Sequence, residues 1–151
     1  MPEKKTLERA RKDKRQGKSP STQAGEFVHE EIEHIREGKH GARSTKQAIA
    51  IGLSKARRAG VALPPPRKGT TSESTRHEAE RALEAGKHPG RKPSPARSRA
   101  SKRRLKSMPK TVASHDALSR QAKASARSRP ASARKAAARK AARTRARHSS
   151  S

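Results

Sequence analysis

Ser44-Thr45-Lys46-Gln47-Ala48-Ile49-Ala50-Ile51-Gly52-Leu53-Ser54-Lys55-Ala56 is the stretch on which the fold turns. Ser44 supplies a helix cap, and Gln47 three residues on completes a capping box. Ala48, Ile49, Gly52, Leu53 and Ala56 recur at the spacing of one helical face, and Gly60 closes the segment. The pattern predicts a helix over 45–59. Gly52, lying on the apolar stripe, leaves room for another helix to approach closely.

A second helix is predicted upstream over 22–37, with Ser21 or Thr22 as its cap and Gly38 as its stop. Ala24, Phe27, Val28, Ile32 and Ile35 share one face, and Glu26, Glu30, Glu33 and Glu37 cover much of the rest. The two helices read as a short antiparallel hairpin joined by 39–43. A further helix over 6–16 alternates in charge, with Thr6 as cap and Gly17 and Pro20 as its end. Together these make a small helical module over 1–63. Leaving the initial Met1 aside, ten large apolar residues lie in that zone and five in the remaining 88, so any packed core is expected in the first. So small a core points to self-association through the 22–59 helices, as a homo-oligomer.

Pro64-Pro65-Pro66 opens a stiff linker over 64–69. Residues 70–86 are neutral overall, carry Leu83 as their one large apolar side chain, and are expected as an exposed helix capped by Thr70. Residues 87–151 are built from Ala, Ser, Arg, Lys and Pro. Their Ala-Arg-Lys-Ala-Ala sequence occurs at 133–137 and again at 138–142. A five-residue step turns a helix by about 140° beyond one full turn. Basic side chains therefore wind around such a helix and leave no apolar face.

The apolar fraction is 28%, against roughly 45–50% in an ordinary globular domain. Phe27 is the one aromatic residue. Burial of so few large groups cannot offset roughly 1–2 kcal/mol of backbone entropy per residue over the whole chain. The expected fold class is therefore mostly α: a small N-terminal hairpin module, isolated short helices, and a largely disordered cationic tail.

Charge carries the functional reading. Forty Lys and Arg oppose thirteen Asp and Glu, a net +27, and residues 87–151 hold twenty-one of the bases against the single acid Asp116. Such a polycation fits a polyanionic partner, DNA first, bound by counterion release without base readout. The candidate phosphate ligands are Arg91, Lys92, Arg97, Arg99, Lys102, Arg103, Arg104, Lys106, Arg134, Lys135, Arg139, Lys140, Arg143, Arg145 and Arg147. An RNA- or ribosome-associated protein is the first alternative. A structural protein binding another polyanion, such as anionic lipid or polyphosphate, is the second. No aromatic platforms serve single-strand stacking. No run approaches the ~18 apolar residues of a membrane span, so membranes are not expected as a partner. Cysteine is absent, which excludes thiolate chemistry and disulfides. The expected setting is cytoplasmic, at the nucleoid.

The alanine- and lysine-rich repeats resemble the tails of linker histones and histone-like bacterial proteins, which implies coating or compaction of DNA. Lys46-Gln47-Ala48-Ile49-Ala50-Ile51-Gly52-Leu53-Ser54 resembles the signature of a family of small basic bacterial proteins of unknown function loosely labelled DNA-binding. Pro89-Gly90-Arg91-Lys92-Pro93 resembles an AT-hook core, with Pro89 where that motif carries Arg; the plain alternative is a basic linker.

Thr45, Lys46 and Gln47 suit groove contacts, and Lys55, Arg57 and Arg58 suit phosphate, as in a recognition helix. The acidic helix before them would be repelled by a duplex, so a protein-contact module is favoured, its acidic face docking basic segments of this chain or a neighbour. His29 and His34 are five apart, the wrong spacing for the two histidines of a zinc-protease helix. No metal, cofactor or catalytic constellation is expected, and the chain reads as a non-enzyme.

Overall fold

Caps and prolines decide where the helices of this chain begin, as its computed structural model shows for residues 1–90, 92 and 94–149. Ser44 accepts a hydrogen bond from the Gln47 amide at 3.1 Å, and Gln47 Oε1 accepts one from the Arg43 amide at 2.6 Å. Helix α3 accordingly spans Thr45–Arg58. Helix α2 spans Pro20–Arg36 and starts earlier than the sequence pattern implies. Ser19, not Ser21 or Thr22, is its cap, accepting from the Thr22 amide at 3.3 Å. Pro20 does not end the preceding helix; it occupies the first turn of α2, where a missing amide proton costs nothing. Helix α1 spans Lys4–Arg15, with Thr6 buried inside it. Helix α4 spans Glu73–Lys87 and is capped by Ser72 rather than Thr70.

The chain then continues as α5 (Pro95–Lys106), a 3-10 turn (Thr111–Ala113), α6 (His115–Arg127) and α7 (Ala131–Ser149). This overturns the expectation of a largely disordered cationic tail: the chain is helical as far as Ser149. The physical reason lies in which residues carry the helices. Ala has the highest intrinsic helix propensity, and Arg and Lys follow closely. Two prolines of the tail fall at helix starts, Pro95 in the first turn of α5 and Pro130 just before α7.

Residues Met1–Ser114 and His115–Ser151 form two compact units. In the first, the core is built mostly from alanine. Ala24, Ala42, Ala48, Ala56 and Ala113 are fully buried alongside Phe27 and Ile35. Ala10, Ala24, Phe27, Ala56 and Val61 form one cluster, with Leu7, Leu53 and Leu63 packed on it. Small side chains let helices sit close together, so few large groups are needed. Helix α2 packs on α1 and α3, and α3 also packs on α4. The segment over 70–86 is thus less exposed than its composition implies, because Ala79 and Ala82 are buried.

Glycine sets two of these approaches. A Cβ at Gly52 would stand 2.6 Å from Val28 Cα of α2, and one at Gly86 would run into the Arg57 carbonyl of α3. The basic stretch after α4 is stapled to the module as well. The Gly41 and Ala42 amides donate to the carbonyls of Leu105 and Pro109 at 2.9 and 3.0 Å. Arg36 Nε donates to Ala113 O at 3.0 Å, and Thr45 Oγ1 to Val112 O at 2.7 Å. In the second unit, α6 and α7 bury no residue.

Gly52→Ala will destabilise the fold by about 1–3 kcal/mol through overpacking, despite the better helix propensity of Ala. Gly25→Ala is its control, because a Cβ there meets nothing within 4 Å; it will stabilise by about 0.5–1 kcal/mol. Urea unfolding followed by circular dichroism measures both.

Candidate nucleic-acid interface

Most acids of the module are engaged by its own bases. Along α2, Glu26 meets Arg9 of α1 at 3.2 Å, and Glu31 meets Lys55 of α3 at 2.6 Å. Glu30 lies 3.9 Å from the same ammonium and accepts from the Glu3 amide at 3.1 Å. Glu33 pairs with Arg36 at 3.0 Å, and Glu37 with Lys39 at 2.8 Å. The acidic face of α2 therefore docks basic groups of this same chain. On α4, Glu80 pairs with Arg76 at 3.1 Å and Glu84 with Lys87 at 2.9 Å. The Lys87 hydrogen bond holds the Glu84 carboxyl below the usual carboxylate range.

The start of α3 is not presented as a recognition helix. Thr45 is spent on the Val112 carbonyl and Gln47 on the Arg43 amide. Lys55 is committed to Glu31. Arg57 is buried, donating from Nε to Leu63 O and from a terminal nitrogen to Pro64 O, each at 3.1 Å. Burial lowers the pKa of its guanidinium. Its role is to clamp the chain as it leaves α3.

The bases of the later helices stand differently. Lys92 precedes α5; Arg97, Arg99, Lys102, Arg103, Arg104 and Lys106 lie on α5; Arg134, Lys135, Arg139, Lys140, Arg143, Arg145 and Arg147 lie on α7. All of these are exposed. Arg91, and with it the AT-hook-like core over 89–93, lies outside the described residues. At about 100° per residue the bases of α5 and of α7 surround their helices. On α7, Lys135, Arg139, Arg143 and Arg147 follow one another at four-residue steps, placing like charges side by side. A polyanion laid along the helix would relieve that repulsion.

Two further basic faces escaped the sequence reading. Arg120, Lys123 and Arg127 fall on one side of α6, a spacing visible once the helix bounds are known. Lys4, Lys5, Arg11, Lys12, Lys14 and Arg15 are exposed on α1, masked in sequence by the alternating Glu8 and Asp13. Among the described residues, no helix is long and apolar enough to cross a membrane.

Residues 4–68, which span α1 to α3, match the model of a family described as a family of unknown function (DUF6496). No curated protein and no solved structure matches the chain. The likeness thus covers the helical module and leaves α4 to α7 outside it.

Lys55→Met will cost about 3–5 kcal/mol of unfolding free energy, because it strands a buried carboxylate. Lys87→Met, at the exposed pair with Glu84, will change stability by no more than about 1 kcal/mol. Chemical denaturation of the two variants beside the wild type makes the comparison.

Proposed function

We propose that this protein binds duplex DNA without sequence choice, as a histone-like, nucleoid-associated protein, through the cationic surfaces of α5, α6 and α7. One observation carries the reading. The acids of the first unit are engaged largely within it, while the bases of α5 and α7 are exposed. Those exposed bases are therefore accessible to an external polyanion.

Helix α7 has 19 residues, so it is about 28 Å long. Duplex DNA carries one negative charge per about 1.7 Å of axis. The phosphates along that length outnumber the seven bases of α7, so the helix does not saturate its site. Bases on all sides suit a helix flanked by two phosphate walls, either the two strands of one groove or two neighbouring duplexes. The second arrangement would compact DNA. Arg serves here as a donor to phosphate oxygens and Lys as a point charge. No fixed array of side chains is needed for base readout, so sequence preference is not part of the proposal.

The test is competitive binding to duplex DNA and to structured RNA over a salt series. It compares the full chain with a variant in which Arg134, Lys135, Arg139, Lys140 and Arg143 are all replaced by Gln. About ten phosphate contacts would give the wild type a slope of about −9 in log affinity against log salt. The variant is expected to lose about 0.9 of slope per contact, or roughly 4–5 in all. Equal slopes for the two proteins would remove α7 from the interface, and a clear preference for RNA would replace DNA as the partner.

A further inference from the structure

The turn after α2 brings together three side chains that no helical spacing connects. Gly38 takes a positive φ of 79°, and the chain reverses so that His40 returns over α2. Glu31 and His34, one helical turn apart on α2, meet it there. The donor atoms of Glu31, His34 and His40 all lie within 4.8 Å of one another. His40 Nε2 stands 3.3 Å from Glu31 Oε1. Around a tetrahedral zinc ion with ligands at about 2.0–2.1 Å, neighbouring donors are about 3.4 Å apart.

The hydrogen bonds fix where the lone pairs point. His40 Nδ1 lies 3.1 Å from Gly41 O, and a carbonyl oxygen only accepts, so Nδ1 carries the proton. In the neutral ring Nε2 then holds a lone pair, and it faces a carboxylate oxygen that also holds lone pairs. That Glu31 oxygen, Oε1, is fully buried and receives no hydrogen bond. His34 Nε2 is 2.8 Å from Glu3 Oε1, an acceptor, so in the neutral ring Nε2 carries the proton and Nδ1 the lone pair. A histidine anchored at one nitrogen by a carboxylate or a carbonyl, with the other left to bind, is the arrangement of a metal ligand.

Charge balance points the same way. Glu30 and Glu31 are both buried, and among the described residues Lys55 is the one ammonium that pairs with them. Glu30 Oε1, like Glu31 Oε1, receives no hydrogen bond. With the His40 ring neutral at 3.3 Å from Glu31, two buried carboxylates face one ammonium, and the negative charge left over is a costly arrangement in a protein interior. A divalent cation on Glu31 Oε1 supplies the missing charge while Lys55 keeps Oε2. The histidine side chains are 15% and 17% exposed, which leaves access from solvent and room for water as a further ligand.

We infer that Glu31, His34 and His40 form a binding site for a divalent first-row transition-metal ion of the zinc type. Two imidazoles and one carboxylate match that class, whereas calcium and magnesium prefer oxygen donors alone. The ion fastens the 38–42 turn to α2. Gly41 and Ala42 in that turn hold the segment that follows α5, so the ion also stiffens the attachment of a basic helix to the module.

The test uses the full chain without a histidine tag, stripped with chelator and titrated with Co²⁺ and then Zn²⁺. One Co²⁺ per chain is expected, with visible d–d absorption that Zn²⁺ abolishes. The ring-proton NMR signals of His34 and His40 should move together up to one equivalent, while those of His29, His77, His88, His115 and His148 stay in place. Loss of a group that merely orients a metal-bound histidine costs about 10–100-fold in affinity. His40→Ala, which deletes a ligand, should therefore weaken binding by at least about a hundredfold, and His29→Ala should leave it unchanged. Absence of stoichiometric binding, signals that shift evenly over all seven histidines, or a His40→Ala variant that binds like the wild type would each overturn the site. The wild-type titration decides the matter even where a variant loses helicity by circular dichroism.

Discussion

Glu31 is the residue around which the first unit is arranged. It is an acid on α2 with no solvent exposure, facing Lys55 of α3 at 2.6 Å. A carboxylate in that position forces its neighbours to answer it. Lys55 must reach inward, the turn over 38–42 must bring His40 back, and α3 must lie close enough for Gly52 to sit beneath Val28. The apolar core alone is too small to impose one register on helices lined mainly with alanine. Buried charge that is satisfied in a single arrangement gives the packing a direction that alanine does not.

The same chemistry divides the chain by charge. The acids of the module are concentrated on α2, between the basic surfaces of α1 and α3, where they pair within the fold. Helices α5 and α7 contain no acid in their spans, and α6 contains only Asp116. Net charge is therefore a poor description of this protein; the separation of cations paired within the module from those exposed on the later helices is the better one. The staples from Gly41, Ala42, Arg36 and Thr45 to the 105–113 segment join the neutralised part to the start of the cationic part. The DNA-binding proposal rests on that segregation, since the matched family is itself described as one of unknown function.

The third helix was legible because its main signals agreed: cap, stripe and stop glycine fall where α3 places them, while Gln47 reaches back to the Arg43 amide instead of the Ser44 amide a capping box uses. The second helix was read two residues short at its start because Pro20 looked like a terminator, and local sequence does not distinguish a proline that ends one helix from one that opens the next. Thr6 looked like a cap but is buried inside α1. The error over the tail was larger and has a clear source. Counting large apolar groups asks whether a segment can bury a core; α5 to α7 bury no residue and take their form from Ala, Arg and Lys backbone preference. The Glu31–His34–His40 cluster was invisible for another reason. His40 lies outside α2, and no periodicity links it to Glu31 until Gly38 turns the chain. The spacing test applied to His29 and His34 asked about the wrong pair, since His29 is exposed and points away from the cluster's burial.

The most direct test of charge segregation is to map, by backbone amide chemical shifts, where a short duplex DNA touches the full chain at moderate salt. The account predicts that perturbations gather on α5, α6 and α7, with the α2–α3 interface around Glu31 and Lys55 unmoved. Perturbations centred on α2 and α3, with α7 silent, would contradict it.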